Sequence, residues 1–147
     1  MAGRLKTYVD SCLIIAAAKG NEPHSAAAFD VLSNPARQLV ATKLVVLETL
    51  PAPYALGYAD QARFTERVFE LVTRWLPVTD ALLDEAIALA CAVPHLKAVD
   101  ALHACAARAL DAELVTLERR TGPFSRVPGL RVSSLLPVRA PQTPAGP

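Results

Sequence analysis

The chain has 147 residues and a formal net charge of +1, with 52% hydrophobic and 20% charged residues. That length holds one ordinary domain, and the apolar fraction excludes wholesale disorder. Near-neutrality argues against a protein that coats nucleic acid by bulk charge, although it leaves room for a local basic rim around an acidic centre.

The first segment with a clear preference is Thr7-Tyr8-Val9, a short β-type run that ends in Asp10. Helix-forming residues follow at once from Ser11 to Lys19, and Gly20 stops them. A second helix is predicted over about Pro23–Leu32, ending before Asn34-Pro35 because a residue preceding proline avoids the helical region. Leu39-Val40-Ala41 reads as a second strand. Thr42 then caps a helix that carries Leu44, Val45, Leu47 and Glu48, and Pro51 and Pro53 break it.

A long amphipathic helix is predicted over about Tyr58–Arg74, with a stripe of Ala62, Thr65, Val68, Phe69 and Val72. Trp75-Leu76-Pro77-Val78 reads as a short edge strand, given its proline. Thr79 or Asp80 caps the next helix, which runs through Cys91 with Leu83, Ala86, Ile87 and Ala90 expected to face inward. Another helix spans about Ala98–Leu110. Glu113-Leu114-Val115-Thr116 is a strand, and Leu130-Arg131-Val132 is expected to be the last. The final eleven residues, 137–147, contain four prolines and no core-forming pattern, so a domain over 1–136 followed by a disordered Pro-rich tail is expected.

Alternating strands and helices imply crossover connections, and hence a parallel sheet covered on both faces. In such sheets, sites form at the carboxyl ends of strands. Asp10 and Glu118 lie just past strands, and Glu48 and Asp100 are read near the starts of helices that emerge at that same edge. Four acids from separate segments are therefore expected to converge. Packed carboxylates repel unless a cation neutralises them, and an oxygen-only set with open water positions suits Mg²⁺ or Mn²⁺. Each acid also has a structural explanation. Asp10 is a good N-cap, Glu48 an exposed-face residue, and Asp100 a dipole-matched first-turn acid.

The three cysteines, Cys12, Cys91 and Cys105, are an odd number in a chain able to build its own core, which predicts free thiols in a reducing cytoplasm. A zinc site would recruit Cys91, His95, His103 and Cys105, whose spacing matches no paired-ligand pattern. The N-terminus imitates a signal peptide through Arg4, Lys6 and Ala16-Ala17-Ala18, but Asp10 interrupts its apolar segment. No stretch approaches the roughly 20 apolar residues of a membrane span. His103 lies one helical turn from Asp100; a packed or hydrogen-bonded histidine is the default reading and a general base the alternative.

Taken in order, Tyr8-Val9-Asp10-Ser11, Leu44-Val45-Val46-Leu47-Glu48, Lys97-Ala98-Val99-Asp100-Ala101-Leu102-His103-Ala104 and Leu114-Val115-Thr116 resemble the motifs of PIN-domain nucleases, especially the VapC-like toxins of toxin–antitoxin pairs. The resemblance covers about residues 6–134. It implies a single PIN-like α/β/α sandwich with a parallel central sheet of about four to five strands. It also implies that Asp10, Glu48 and Asp100 bind Mg²⁺ or Mn²⁺ for hydrolysis of RNA phosphodiester bonds, with Ser11 and Thr116 supporting the acids. A small cognate antitoxin and a homodimer are implied partners.

The departure lies at Glu118, where the family pattern carries an aspartate. The longer side chain reaches an ion directly, reaches it through water, or turns away beside Arg119 and Arg120, and three acids suffice for one Mg²⁺. Arg119, Arg120 and Arg126 are candidates for RNA phosphate contacts if their loop borders the acids. A phosphatase would want Asp-x-Asp after the first strand and fits poorly, because Asp10-Ser11-Cys12 lacks the second acid. The competing reading is a non-catalytic PIN-like interaction module with a degenerate metal site.

Overall fold

The structure is a computed structural model and describes residues 3–137. Its centre is a five-stranded sheet, parallel throughout, made of β1 (Leu5–Val9), β2 (Arg37–Thr42), β3 (Val72–Leu76), β4 (Glu113–Thr116) and β5 (Val132–Ser134), in the order β3-β2-β1-β4-β5. Around it lie α1 (Ser11–Lys19), α2 (Ser25–Ser33), α3 (Lys43–Thr49), α4 (Pro51–Ala55), α5 (Ala59–Leu71), α6 (Asp80–Ala92) and α7 (Ala98–Ala109), with a 3₁₀ turn at Pro123–Arg126. The expected α/β architecture is therefore present, with five strands. The tail residues 138–147 lie outside the described residues.

The central strands are buried on both faces, as parallel sheets require. Thr7, Tyr8 and Val9 of β1 and Leu39 to Thr42 of β2 are all buried. The smaller core packs Leu13 and Ala16 of α1 and Ala28 and Val31 of α2 against Val115. The larger core joins Tyr8, Val40 and Leu114 to Leu82 and Leu89 of α6, to Ala101 and Leu102 of α7, and to Leu110 just past it. Alanine-rich α7, with Ala101 and Ala104 to Ala107 buried, sits close to the strands because its side chains are small.

Several local expectations are corrected. The edge strand is Val72–Leu76 rather than Trp75–Val78, so the long helix ends at Leu71. Val72 already adopts extended backbone, and tertiary pairing with β2 overrides the helical pattern there. Pro51 breaks α3 but also opens the short helix α4, where its missing N–H costs nothing. The last strand starts at Val132. On α6 the inward face is Leu82, Ala86 and Leu89, whereas Leu83 and Ile87 are 42% and 62% exposed. Both faces of α6 are apolar, so periodicity left its rotation undetermined.

The order β3-β2-β1-β4-β5 has one topological switch. From β1 the chain winds outward through β2 to β3, then returns to place β4 on the other side of β1. A crevice opens at the carboxyl ends of β1 and β4, the place where α/β sheets bind ligands.

Candidate metal centre

Asp10 directly follows β1 at this crevice and is only 4% exposed. It occupies the N-cap position of α1 with extended backbone, yet its carboxylate makes no capping bond to the helix. Instead Oδ2 accepts the Thr116 hydroxyl at 2.8 Å and the Cys12 thiol at 3.3 Å. The capping account of Asp10 is thereby removed, because β4 supplies a competing donor across the switch point. Burial, reinforced by the Asp10 charge, pushes the Cys12 thiol up to about 12, so Cys12 serves as a neutral donor.

Glu48 lies in the last turn of α3 rather than near its start. A helix of seven residues is short enough, at about 1.5 Å per residue, for its far end to reach the same edge. The half-buried carboxylate is held at both oxygens. Ser11 Oγ donates to Oε2 at 3.2 Å, and His103 Nε2 lies 2.5 Å from Oε1. The residue next to Asp10 thus holds Glu48, which ties the first two acids together.

Asp100, in the first turn of α7, is half-buried. Its carboxyl is raised above the usual range, chiefly by burial and then by the Asp10 charge, with His103 and Lys97 opposing and Glu48 adding to the rise. Glu118 follows β4, and its backbone N–H donates to Thr116 Oγ1 at 3.1 Å. Burial, then repulsion from Asp100 and Asp10, lifts Glu118 to about 6, with Lys97 opposing. The four acids therefore share one electrostatic neighbourhood. Asp100, Glu118, Lys97 and Arg119 line a cavity of about 440 Å³ at this edge.

The donor chemistry suits a hard cation, being all oxygen and mutually repelling. Among the described residues, however, no three Asp, Glu, His or Cys side chains stand close enough together to enclose an ion. Mg²⁺ keeps several waters and takes only one or two carboxylates directly, so it is the donor chemistry, and not a closed cage, that fits this ion. The zinc grouping of Cys91, His95, His103 and Cys105 does not assemble either: Cys91 is exposed, Cys105 is buried, and His103 is engaged with Glu48 and Tyr8.

A family model described as PIN domain matches residues 7–130. The chain belongs to the PIN-domain family. No curated protein matches it, but solved structures do. It is similar to DNA-bound VapBC from Salmonella typhimurium at TM-score 0.66 and 18% identity, covering 88% of this chain and 98% of that one. It is similar to a toxin–antitoxin complex from Klebsiella pneumoniae at 0.65 and 18%, covering 87% and 96%. It is also similar to the sarcin-ricin loop cleaving toxin VapC20 of Mycobacterium tuberculosis at 0.60 and 18%, covering 85% and 98%. At these identities the likeness is one of fold.

Within this PIN domain the three arginines part company. Arg119 lines the acidic cavity, Arg120 lines a separate cleft with Ser133 and Ser134, and Arg126 donates to the Pro94 carbonyl at 3.3 Å. Three polar residues at the candidate site escaped sequence reasoning, Tyr8, Cys12 and Lys97, whereas His103 is packed and hydrogen-bonded as its default reading has it. Tyr8 and Cys12 each lie two residues from Asp10, but nothing local shows that their polar atoms turn inward.

Proposed function

We propose that the chain is an endoribonuclease that hydrolyses RNA phosphodiester bonds with Mg²⁺ or Mn²⁺, and that it acts as the toxin of a toxin–antitoxin pair. One observation supports this above the rest. In a PIN-domain fold, Asp10 stands at the switch point with its carboxylate withheld from helix capping and aligned instead by Thr116 and Cys12.

In this reading Asp10, Glu48 and Asp100 hold the ion, and Glu118 reaches it directly or through water. A bound divalent ion supplies a polarised phosphate and an activated water. The chain's own residues do the rest. Thr116 and Cys12 fix Asp10, Ser11 fixes Glu48, and Lys97 and Arg119 offer cationic groups beside the acids for the RNA backbone. Among the described residues no helix is long and apolar enough to cross a membrane. The free cysteines Cys12, Cys91 and Cys105 suit the reducing cytoplasm in which we propose that the protein acts. Neighbours solved as toxin–antitoxin complexes support a small antitoxin as the partner; we further propose that it covers the acidic cavity with an inserted arginine and that the toxin is a homodimer.

A non-catalytic interaction module is the second reading, favoured by the open spacing of the acids. Incubation of RNA with Mn²⁺ and either the native chain or Asp10→Asn separates the two. Cleavage abolished by the substitution supports the nuclease. No cleavage by either protein, together with no bound Mn²⁺, supports the module.

A further inference from the structure

Glu48, like Glu118, has three side-chain torsions to fix, and its side chain is 27% exposed. Yet it ends a chain of buried, hydrogen-bonded groups. His103, Tyr8 and Thr42 are each fully buried, on three different segments of the fold. The Tyr8 hydroxyl lies 3.0 Å from Thr42 Oγ1 and 2.7 Å from His103 Nδ1, and His103 Nε2 lies 2.5 Å from Glu48 Oε1.

The protons have a consistent arrangement. Thr42 donates to Tyr8, Tyr8 donates to Nδ1, and the ring proton on Nε2 donates to Glu48. With Ser11 on Oε2, both carboxylate oxygens are tied. Each oxygen keeps a second lone pair, so these bonds orient the group without using up its capacity for a cation. The three polar groups buried in the core need each other and Glu48 as partners, and no buried polar side-chain atom among the described residues lacks one. An apolar trio would fill the same space without desolvating any of them, so packing alone does not account for the chain.

We infer that His103, braced by Tyr8 and Thr42, is a positioning residue that fixes the Glu48 carboxylate for a divalent cation. This rests on the metal-centre reading above. It differs from a general-base role because His103 is sealed from solvent and hydrogen-bonds to the acids only at Glu48.

The test uses the metal-stripped full chain titrated with Mn²⁺ by calorimetry. His103→Leu keeps the volume without the donor, His103→Gln returns an N–H near the Nε2 position, and Tyr8→Phe removes the brace. Groups that orient ligands from behind typically contribute about 10–100-fold in metal affinity. His103→Leu is therefore expected to weaken Mn²⁺ binding at least about tenfold, Tyr8→Phe to weaken it less, and His103→Gln to recover most of the loss. In a Glu48→Gln background, His103→Leu is expected to change the affinity no further, because the residue acts through that carboxylate.

Equal affinity in the native chain and a folded His103→Leu overturns the inference. If that variant does not fold, unchanged affinity in Tyr8→Phe overturns it instead. A metal-free readout separates the two levels. Proton NMR of the native chain is expected to show a far-downfield, exchange-protected imidazole N–H signal that Glu48→Gln abolishes, and its absence refutes the hydrogen-bonded chain. If the signal is present but the native chain binds no Mn²⁺, the metal-centre reading fails and the positioning role falls with it.

Discussion

Asp10 shows how one side chain is reassigned by its surroundings. At the N-cap of α1 it has the backbone of a capping residue, but two side-chain donors claim its carboxylate. One of them, Cys12, is held protonated by burial and by that same carboxylate, at about 12. Iodoacetamide at neutral pH is therefore expected to modify exposed Cys91 and to leave Cys12 unmodified in the folded chain, as peptide mass mapping checks. Glu118 responds to its neighbours in the opposite sense from a salt-bridged acid. Its folded-state carboxyl is lifted from 4.5 to about 6, so the metal-free native state binds this proton more tightly than the unfolded chain. The stabilisation is complete below about pH 4.5 and is lost as pH rises through about 6. Thermal melts of the metal-free protein are expected to fall in Tm across that window, with a smaller fall in Glu118→Gln.

Among the elements, α6 and the loop after β4 give the clearest tests. The rotation of α6 places Leu89 inside and Ile87 outside. Urea denaturation is expected to show Leu89→Ala destabilised by about 2–4 kcal/mol and Ile87→Ala by less than about 0.5 kcal/mol. Thr79 caps this helix by accepting the Leu82 N–H at 3.2 Å, so Thr79→Ala is expected to cost about 1 kcal/mol by the same measurement. In the loop, Gly122 donates its N–H to the Arg119 carbonyl at 2.9 Å, and a Cβ at Gly122 would lie 2.9 Å from that backbone oxygen. The loop closes this tightly only without a side chain at that position. Glu118 and Arg119 take their places on the cavity through this turn.

On the scale of the whole molecule, the acids share one edge because the strand order brings the ends of β1 and β4 side by side. Close carboxylates repel unless a cation neutralises them. Mg²⁺ or Mn²⁺ is expected to raise the Tm of the native chain, since an ion that binds only the folded state stabilises it by mass action. Asp10→Asn is expected to abolish that rise while leaving a folded protein, as differential scanning calorimetry with and without metal checks. No rise in the native chain would count against the metal centre itself.

Local chemistry determined much of this protein. The alternation of strand and helix signals specified a parallel sheet, the residues just past Val9 and Thr116 marked its functional edge, and Thr79 announced a helix start. Those signals survive in a linear reading because they depend on neighbours within a few residues. Four features were settled only in three dimensions: the face that α6 buries, the end of the long helix at Leu71, the release of Asp10 from capping, and the Tyr8–His103–Glu48 chain. Each turns on a partner far away in sequence. Asp10 and Thr116 are 106 positions apart, and Tyr8 and His103 are 95. A side chain's direction follows the strongest partner that folding brings within reach, and neither periodicity nor propensity carries that information.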